Sequence, residues 1–161
     1  MRRQVLTRQA FEQRRDLSAW VNLLRAHAAL TRALSADLVN SHGLTIHDYE
    51  VLLHLWRAPD RRLRRVDLAE RLLLTASGIT RLLDGLERAG YVCKARCDSD
   101  ARVTYAVLTD VGAAKLEEAS GTHLRGIRQT FDQRFDGDEL KTLGELLGRL
   151  SVEAPAGCEA D

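Results

Sequence analysis

Thr75, Ser77, Gly78, Thr80 and Arg81 cluster at the start of a short segment whose apolar residues are Ile79, Leu82, Leu83 and Leu86. With those four turned inward on a helix, the hydroxyls, the glycine and the arginine face outward or sideways. Short hydroxyl side chains allow close approach to a phosphate or to the edge of a base, and an arginine can make paired hydrogen bonds to guanine. The unsatisfied N–H groups at such a helix start also favour an anion. The run Arg61-Arg62-Leu63-Arg64-Arg65 adds positive charge just upstream. An ordinary solvated helix start carries the same residue types, so this cluster alone leaves both readings open.

Bond-making chemistry finds little support. There is no G-x-S-x-G, phosphate-binding glycine loop, dinucleotide fingerprint or H-E-x-x-H, so the chain does not read as an enzyme. Cys93 and Cys97 are four residues apart, on or beside a strand with no histidine nearby, which is poor zinc geometry. They read as incidental thiols. His27, His42, His47, His54 and His123 are scattered; no metal and no cofactor is expected. The basic start Met1-Arg2-Arg3 has no apolar run behind it, and no stretch is long and apolar enough for a membrane span. With three sparse cysteines, this predicts a cytoplasmic protein with reduced thiols and no membrane partner.

The elements that must position the cluster follow from periodicity. Over 16–40, Leu17, Trp20, Leu24, Ala28, Thr31, Leu34 and Leu38 recur at steps of three and four, predicting a long amphipathic helix. Gly43 ends it, and Thr45 with Asp48 starts the next, whose buried face is expected to be Tyr49, Leu52, Leu53 and Trp56. Pro59 and Asp60 close that helix. Val66, Leu68, Ala69, Leu72 and Leu73 supply the face of a following helix, and a turn at Thr75 leads into the segment ending at Ala89-Gly90. Tyr91-Val92-Cys93 and the run from Val103 to Leu108 are β-type, with charged Asp98-Ser99-Asp100-Ala101 between them, predicting a hairpin. Thr109 can cap a helix carrying Val111, Leu116, Leu124, Ile127, Phe131 and Phe135. A last helix carries Leu140, Leu143, Leu147 and Leu150.

Charge supports a functional centre without proving one. The net charge is only +1, but residues 57–102 hold 11 Lys or Arg against 7 Asp or Glu, and the rest hold 13 against 16. A moderately basic middle between acidic flanks suits a surface that faces nucleic acid, with outer helices that do something else.

The order helix, helix, short turn, helix, hairpin is the layout of a winged helix-turn-helix, whose second helix lies in a major groove. Residues 44–112 resemble the MarR family of bacterial regulators. The strongest match is Asp100-Ala101-Arg102, five residues, then Leu108-Thr109-Asp110-Val111-Gly112, which fits the family's wing pattern D-x-R-x5-L-T-x-x-G. Asp67 to Leu72 resembles the motif's first helix, and Ser77 to Val92 its recognition helix and exit. The flanking helices agree in placement, extending the resemblance over about 17–150.

The resemblance implies an α+β, mostly helical fold: a winged helix-turn-helix core at 45–109, with dimerisation helices at 16–43 and 110–150, in one domain over 1–152. The tail 153–161 is expected to be flexible. It implies a homodimer on a palindromic operator in double-stranded DNA, with Arg64, Arg65, Thr75, Ser77, Gly78, Thr80, Arg81, Asp100 and Arg102 at the interface. Arg102 would enter the minor groove, held by Asp100, because a narrow groove concentrates negative potential. Ala101 departs from the second arginine that relatives often carry there. A small aromatic or phenolic effector is implied in a cleft between the outer helices and the core, with Trp20, His47, Glu50, His54 and Trp56 as candidate lining. The alternative is an interaction module of the same shape, which would show an apolar patch where a DNA reader shows Arg81, Arg102 and the 61–65 run.

Overall fold

The computed structural model describes residues 15–96 and 103–150. The chain forms two compact units with the boundary after His123. The first opens with α1 (Arg15–His42) and α2 (Ile46–Arg57). Thr45 caps α2 through a reciprocal box: its hydroxyl accepts from the Asp48 N–H at 3.2 Å, and the Asp48 carboxylate accepts from the Thr45 N–H at 2.8 Å. A 3-10 turn (Pro59–Arg61) leads into β1 (Arg62–Arg64), α3 (Arg65–Arg71) and α4 (Ala76–Arg88). Then come β2 (Val92–Arg96), β3 (Thr104–Leu108) and α5 (Asp110–Asp132).

The sheet is antiparallel in the order β1-β3-β2, with Leu63 opposite Ala106 and Lys94 also opposite Ala106 from the other side. The two expected hairpin strands therefore belong to a three-stranded sheet with β3 at its centre. The third strand is only three residues, two of them arginines, and exists because β3 offers it a free edge. Gly90, at φ +77°, turns the end of α4 into β2; the Tyr91 N–H donates to the Leu86 carbonyl at 2.9 Å.

One core joins these elements. Leu38 of α1, Tyr49, Val51, Leu52 and Leu55 of α2, Leu68 of α3, Ile79, Leu83 and Leu86 of α4, Val92, Ala106 and Leu108 of the sheet, and Leu116 and Ala119 of α5 are all buried in it. The α2 face differs from the expected one. The helix turns Ile46, Tyr49, Leu52 and Leu55 inward at three-residue steps, which leaves Trp56 55% exposed. Likewise α3 is too short to bury all its apolar residues: Leu68 and Leu72 reach the core, whereas Val66 is 61% and Leu73 93% exposed. On α1 the outer part of the apolar stripe, Trp20 and Leu24, is exposed, as is Val111 at the start of α5.

In the second unit, α5 continues from Leu124 and is followed by α6 (Gly137–Gly148), capped by an Asp136–Glu139 box. Phe131 and Phe135 stack at 6.1 Å between ring centres. The leucine stripe of α6 is the expected one, yet none of its residues is buried, and Leu146, Leu147 and Leu150 are exposed. Among the described residues, no helix is long and apolar enough to cross a membrane.

Candidate nucleic-acid interface

Helix α4 is held by its apolar side and presents its start. Thr75 caps it, its hydroxyl accepting from the Gly78 N–H at 3.1 Å, with the Ser77 hydroxyl 3.2 Å away. No acidic residue occupies the first turn, so the positive end of the helix dipole is uncompensated there. Thr75, Ser77 and Arg81 are exposed; Gly78 and Thr80 are half-buried. A β-carbon at Gly78 would stand 3.2 Å from the Thr75 hydroxyl, so the small residue protects the cap. Thr80 donates to the Ala76 carbonyl at 2.7 Å and accepts from the Arg65 guanidinium at 3.4 Å.

Arg61, Arg62, Arg64 and Arg65 are all exposed, each differently engaged. Arg64 donates from Nε (2.9 Å) and Nη2 (2.8 Å) to the two oxygens of Asp67, a planar fork that raises its already high pKa. Arg61 donates to Asp110 at 3.1 Å, and Arg62 lies over the Tyr105 ring at 5.1 Å. Thus the expected interface residues Arg64, Arg65, Thr75, Ser77, Gly78, Thr80 and Arg81 sit on β1, α3, α4 and the turn before it. Asp100 and Arg102 lie outside the described residues, as do Cys97, Cys158 and the tail.

Sequence reading missed Lys94. From β2 it donates to Asp84 and to Glu87 of α4, both at 2.7 Å, tying the wing strand to the recognition helix. The bond to Lys94 holds the Asp84 carboxyl below its usual range, and both carboxylates raise Lys94. No local pattern marks a pair ten residues apart across a turn.

The expected effector residues divide: His47, Glu50 and His54 follow one another along α2, while Trp20 and Trp56 are exposed. A cleft of about 870 Å³ opens between α1 and α2 and reaches Leu82 of α4. His47 lines it, together with His27, Thr31, Arg32, Ser35 and Val39. Trp20, Glu50, His54 and Trp56 are not among its lining residues. Trp20 and Trp56 point to solvent instead, and Glu50 accepts a 3.1 Å hydrogen bond from His47. Burial, then the Arg71 charge, lowers the pKa of His54. Among the described residues no group of three or more His, Cys, Asp or Glu is placed to hold a metal ion.

A three-stranded wing sheet beside two helices joined by a short turn makes this a winged helix-turn-helix protein. The MarR family model matches residues 42–103. The chain is 36% identical over 113 residues to the HTH-type transcriptional repressor YetL of Bacillus subtilis, covering 68% of each chain. Its fold is similar to that of the Streptomyces coelicolor MarR family regulator Sco3205, crystallised in complex with DNA. The TM-score there is 0.78 and the identity 28%, over 99% of this chain and 97% of the other. It is also similar to AbsC, a MarR family regulator from the same organism, with TM-score 0.75 and 28% identity over 92% and 95% of the two chains. The chain belongs to the MarR family of transcriptional regulators.

Proposed function

We propose that this chain is a sequence-specific double-stranded DNA-binding regulator, a ligand-responsive repressor that binds a palindromic operator as a homodimer. The observation that carries the reading is the uncompensated, hydroxyl-rich start of α4, exposing Ser77 and Arg81 beside the basic β1 edge. Such a helix start meets a major groove, with arginine as the commonest reader of guanine. The similarity to a regulator crystallised on DNA supports it. In this reading Arg102 enters the minor groove and Asp100 orients it. Arg64, already forked on Asp67, is held in place for a phosphate.

Exposed apolar side chains support the dimer. Trp20, Leu24 and Val39 on α1, and separately Leu146, Leu147 and Leu150 at the end of the second unit, have no cover in one chain. A two-fold partner packed on 16–43 and 110–150 covers them, and the pair reads half-sites about one helical turn, ~10 base pairs, apart. The α1–α2 cleft supports the effector: it joins an apolar wall to Arg32, His27 and His47, which suits an acidic or phenolic aromatic. Because Leu82 of α4 shares that wall, an occupant would shift the recognition helix.

Selection of bound sequences from a random duplex pool tests the reading. A two-fold-symmetric site of roughly 16–20 base pairs is the expected result. Recovery of no site, or sequence-blind binding alone, would favour an interaction module docking through the exposed Val66 and Leu73.

A further inference from the structure

A second cavity, about 160 Å³, lies where the wing meets the recognition helix. Arg65 of α3, Thr80 and Leu83 of α4, Lys94 of β2, and Thr104 and Tyr105 of β3 line it. Two cations, the hydroxyls of Thr80 and Thr104 and one apolar residue line it, and among the described residues no carboxylate does, Asp84 and Glu87 meeting Lys94 from outside the wall. An ammonium has three donors, so Lys94 keeps one after bonding Asp84 and Glu87. Arg65 has five donors in a planar fork and directs one at Thr80. The Thr80 proton already goes to the Ala76 carbonyl, so its oxygen steers Arg65 rather than serving a ligand. Thr104, on the same face of the central strand as Lys94, contributes a hydroxyl, whereas Tyr105 turns its ring to the other face under Arg62 and borders the cavity by its backbone.

Donors converging from three elements on so small a space suit a tetrahedral oxyanion. A neutral apolar guest would desolvate the Arg65 guanidinium and the remaining Lys94 N–H without giving either an acceptor. We propose that this cavity is a phosphate site built by Arg65, Lys94 and Thr104, filled on DNA by a backbone phosphate. The proposal deepens the DNA-binding reading and rests on it for the source of the phosphate; free inorganic phosphate has the same chemistry. Thr80 lies one turn along α4 from Ser77, so the anion sits beside the base-reading surface rather than on it. A phosphate held there touches α3, the wing and the centre of the sheet at once, which sets the angle of the wing against α4 when DNA is bound.

Two measurements on the full chain test this. In the first, inorganic phosphate is titrated against amide NMR signals at constant ionic strength, with chloride as the control. In the second, binding of a random-sequence duplex of about 20 base pairs is followed across salt concentrations. Saturable shifts are expected at residues 65, 80, 94, 104 and 105, weakened several-fold by Thr104→Val and by Arg65→Gln. The duplex should bind the wild type with a salt slope steeper by about one than Arg65→Gln. The uncharged, isosteric Thr104→Val should weaken duplex binding several-fold. Phosphate binding without duplex binding would keep the cavity as a free-phosphate site and sink the DNA reading. Duplex binding that Thr104→Val and Arg65→Gln leave unchanged, with no phosphate shifts beyond chloride, would overturn the cavity and leave the DNA reading intact. Silence in both measurements would remove both.

Discussion

Gly112 on the first turn of α5 lies against the backbone of Tyr91 at the mouth of the wing. A β-carbon at Gly112 would overlap the Tyr91 carbonyl oxygen and stand 2.9 Å from Leu108 Cδ1. The same carbonyl accepts from the Thr109 N–H at 3.1 Å, and the Thr109 hydroxyl caps Gly112 at 2.9 Å. The Leu108-Thr109-x-x-Gly112 pattern is thus a joint: the threonine starts the helix and the glycine lets it pass under the exit of the recognition helix.

Gly112→Ala should therefore destabilise the protein by about 3 kcal/mol or more, since the clash is with backbone that cannot swing away. Thr109→Val, which removes only the cap and its donations, should cost about 1 kcal/mol. Urea denaturation of both variants checks the order; equal losses would contradict the steric account.

Leu73 occupies the left-handed position at the end of α3, φ +52°, with its side chain 93% exposed. Asparagine tolerates that conformation, so Leu73→Asn should stabilise by about 1 kcal/mol, a rise in Tm of roughly 2–4 °C. A fall in Tm would instead reveal that an assembled partner covers Leu73.

The two arginines should fail differently on DNA. Arg81→Ala should cost about 1–3 kcal/mol on the selected site and little on random duplex. Arg102→Ala should weaken binding to most sequences and lower the salt slope by about one. Anisotropy titrations on both duplexes separate the cases, and negligible effects from both would remove the site assignment.

His123 packs on Tyr49 with ring centres 4.5 Å apart, and its Nδ1 is buried without a hydrogen-bond partner. Burial pushes its pKa down, with Glu50 opposing. The unfolded chain therefore takes up this proton first, so stability is complete above the unfolded value of about 6.5 and declines as pH falls below it. His54, lowered in the same direction, adds to the slope. His123→Phe keeps the ring contact and should flatten the decline between pH values of about 7.5 and 5.5. Urea midpoints that track the wild type over that range would show that His123 does not cause it.

The sequence by itself determined what is local. Caps at Thr45, Thr75 and Thr109 are readable because each bonds a backbone group three residues on, and the inward residues of α4 because helical spacing repeats within one segment. The family motif carried the wing and the Gly112 joint in the same way. Tertiary structure alone decided what depends on distant neighbours. The strand Arg62–Arg64 exists only against β3, more than 40 residues away. Trp56 and Leu73 looked like core residues by type and spacing, but the rotation of α2 and the short length of α3 left them in solvent. Lys94 meets Asp84 and Glu87 only because β2 folds back on α4, and the 160 Å³ cavity exists only where four elements converge. Burial and ion pairing are set by what arrives from elsewhere in the chain, which spacing within a segment does not encode.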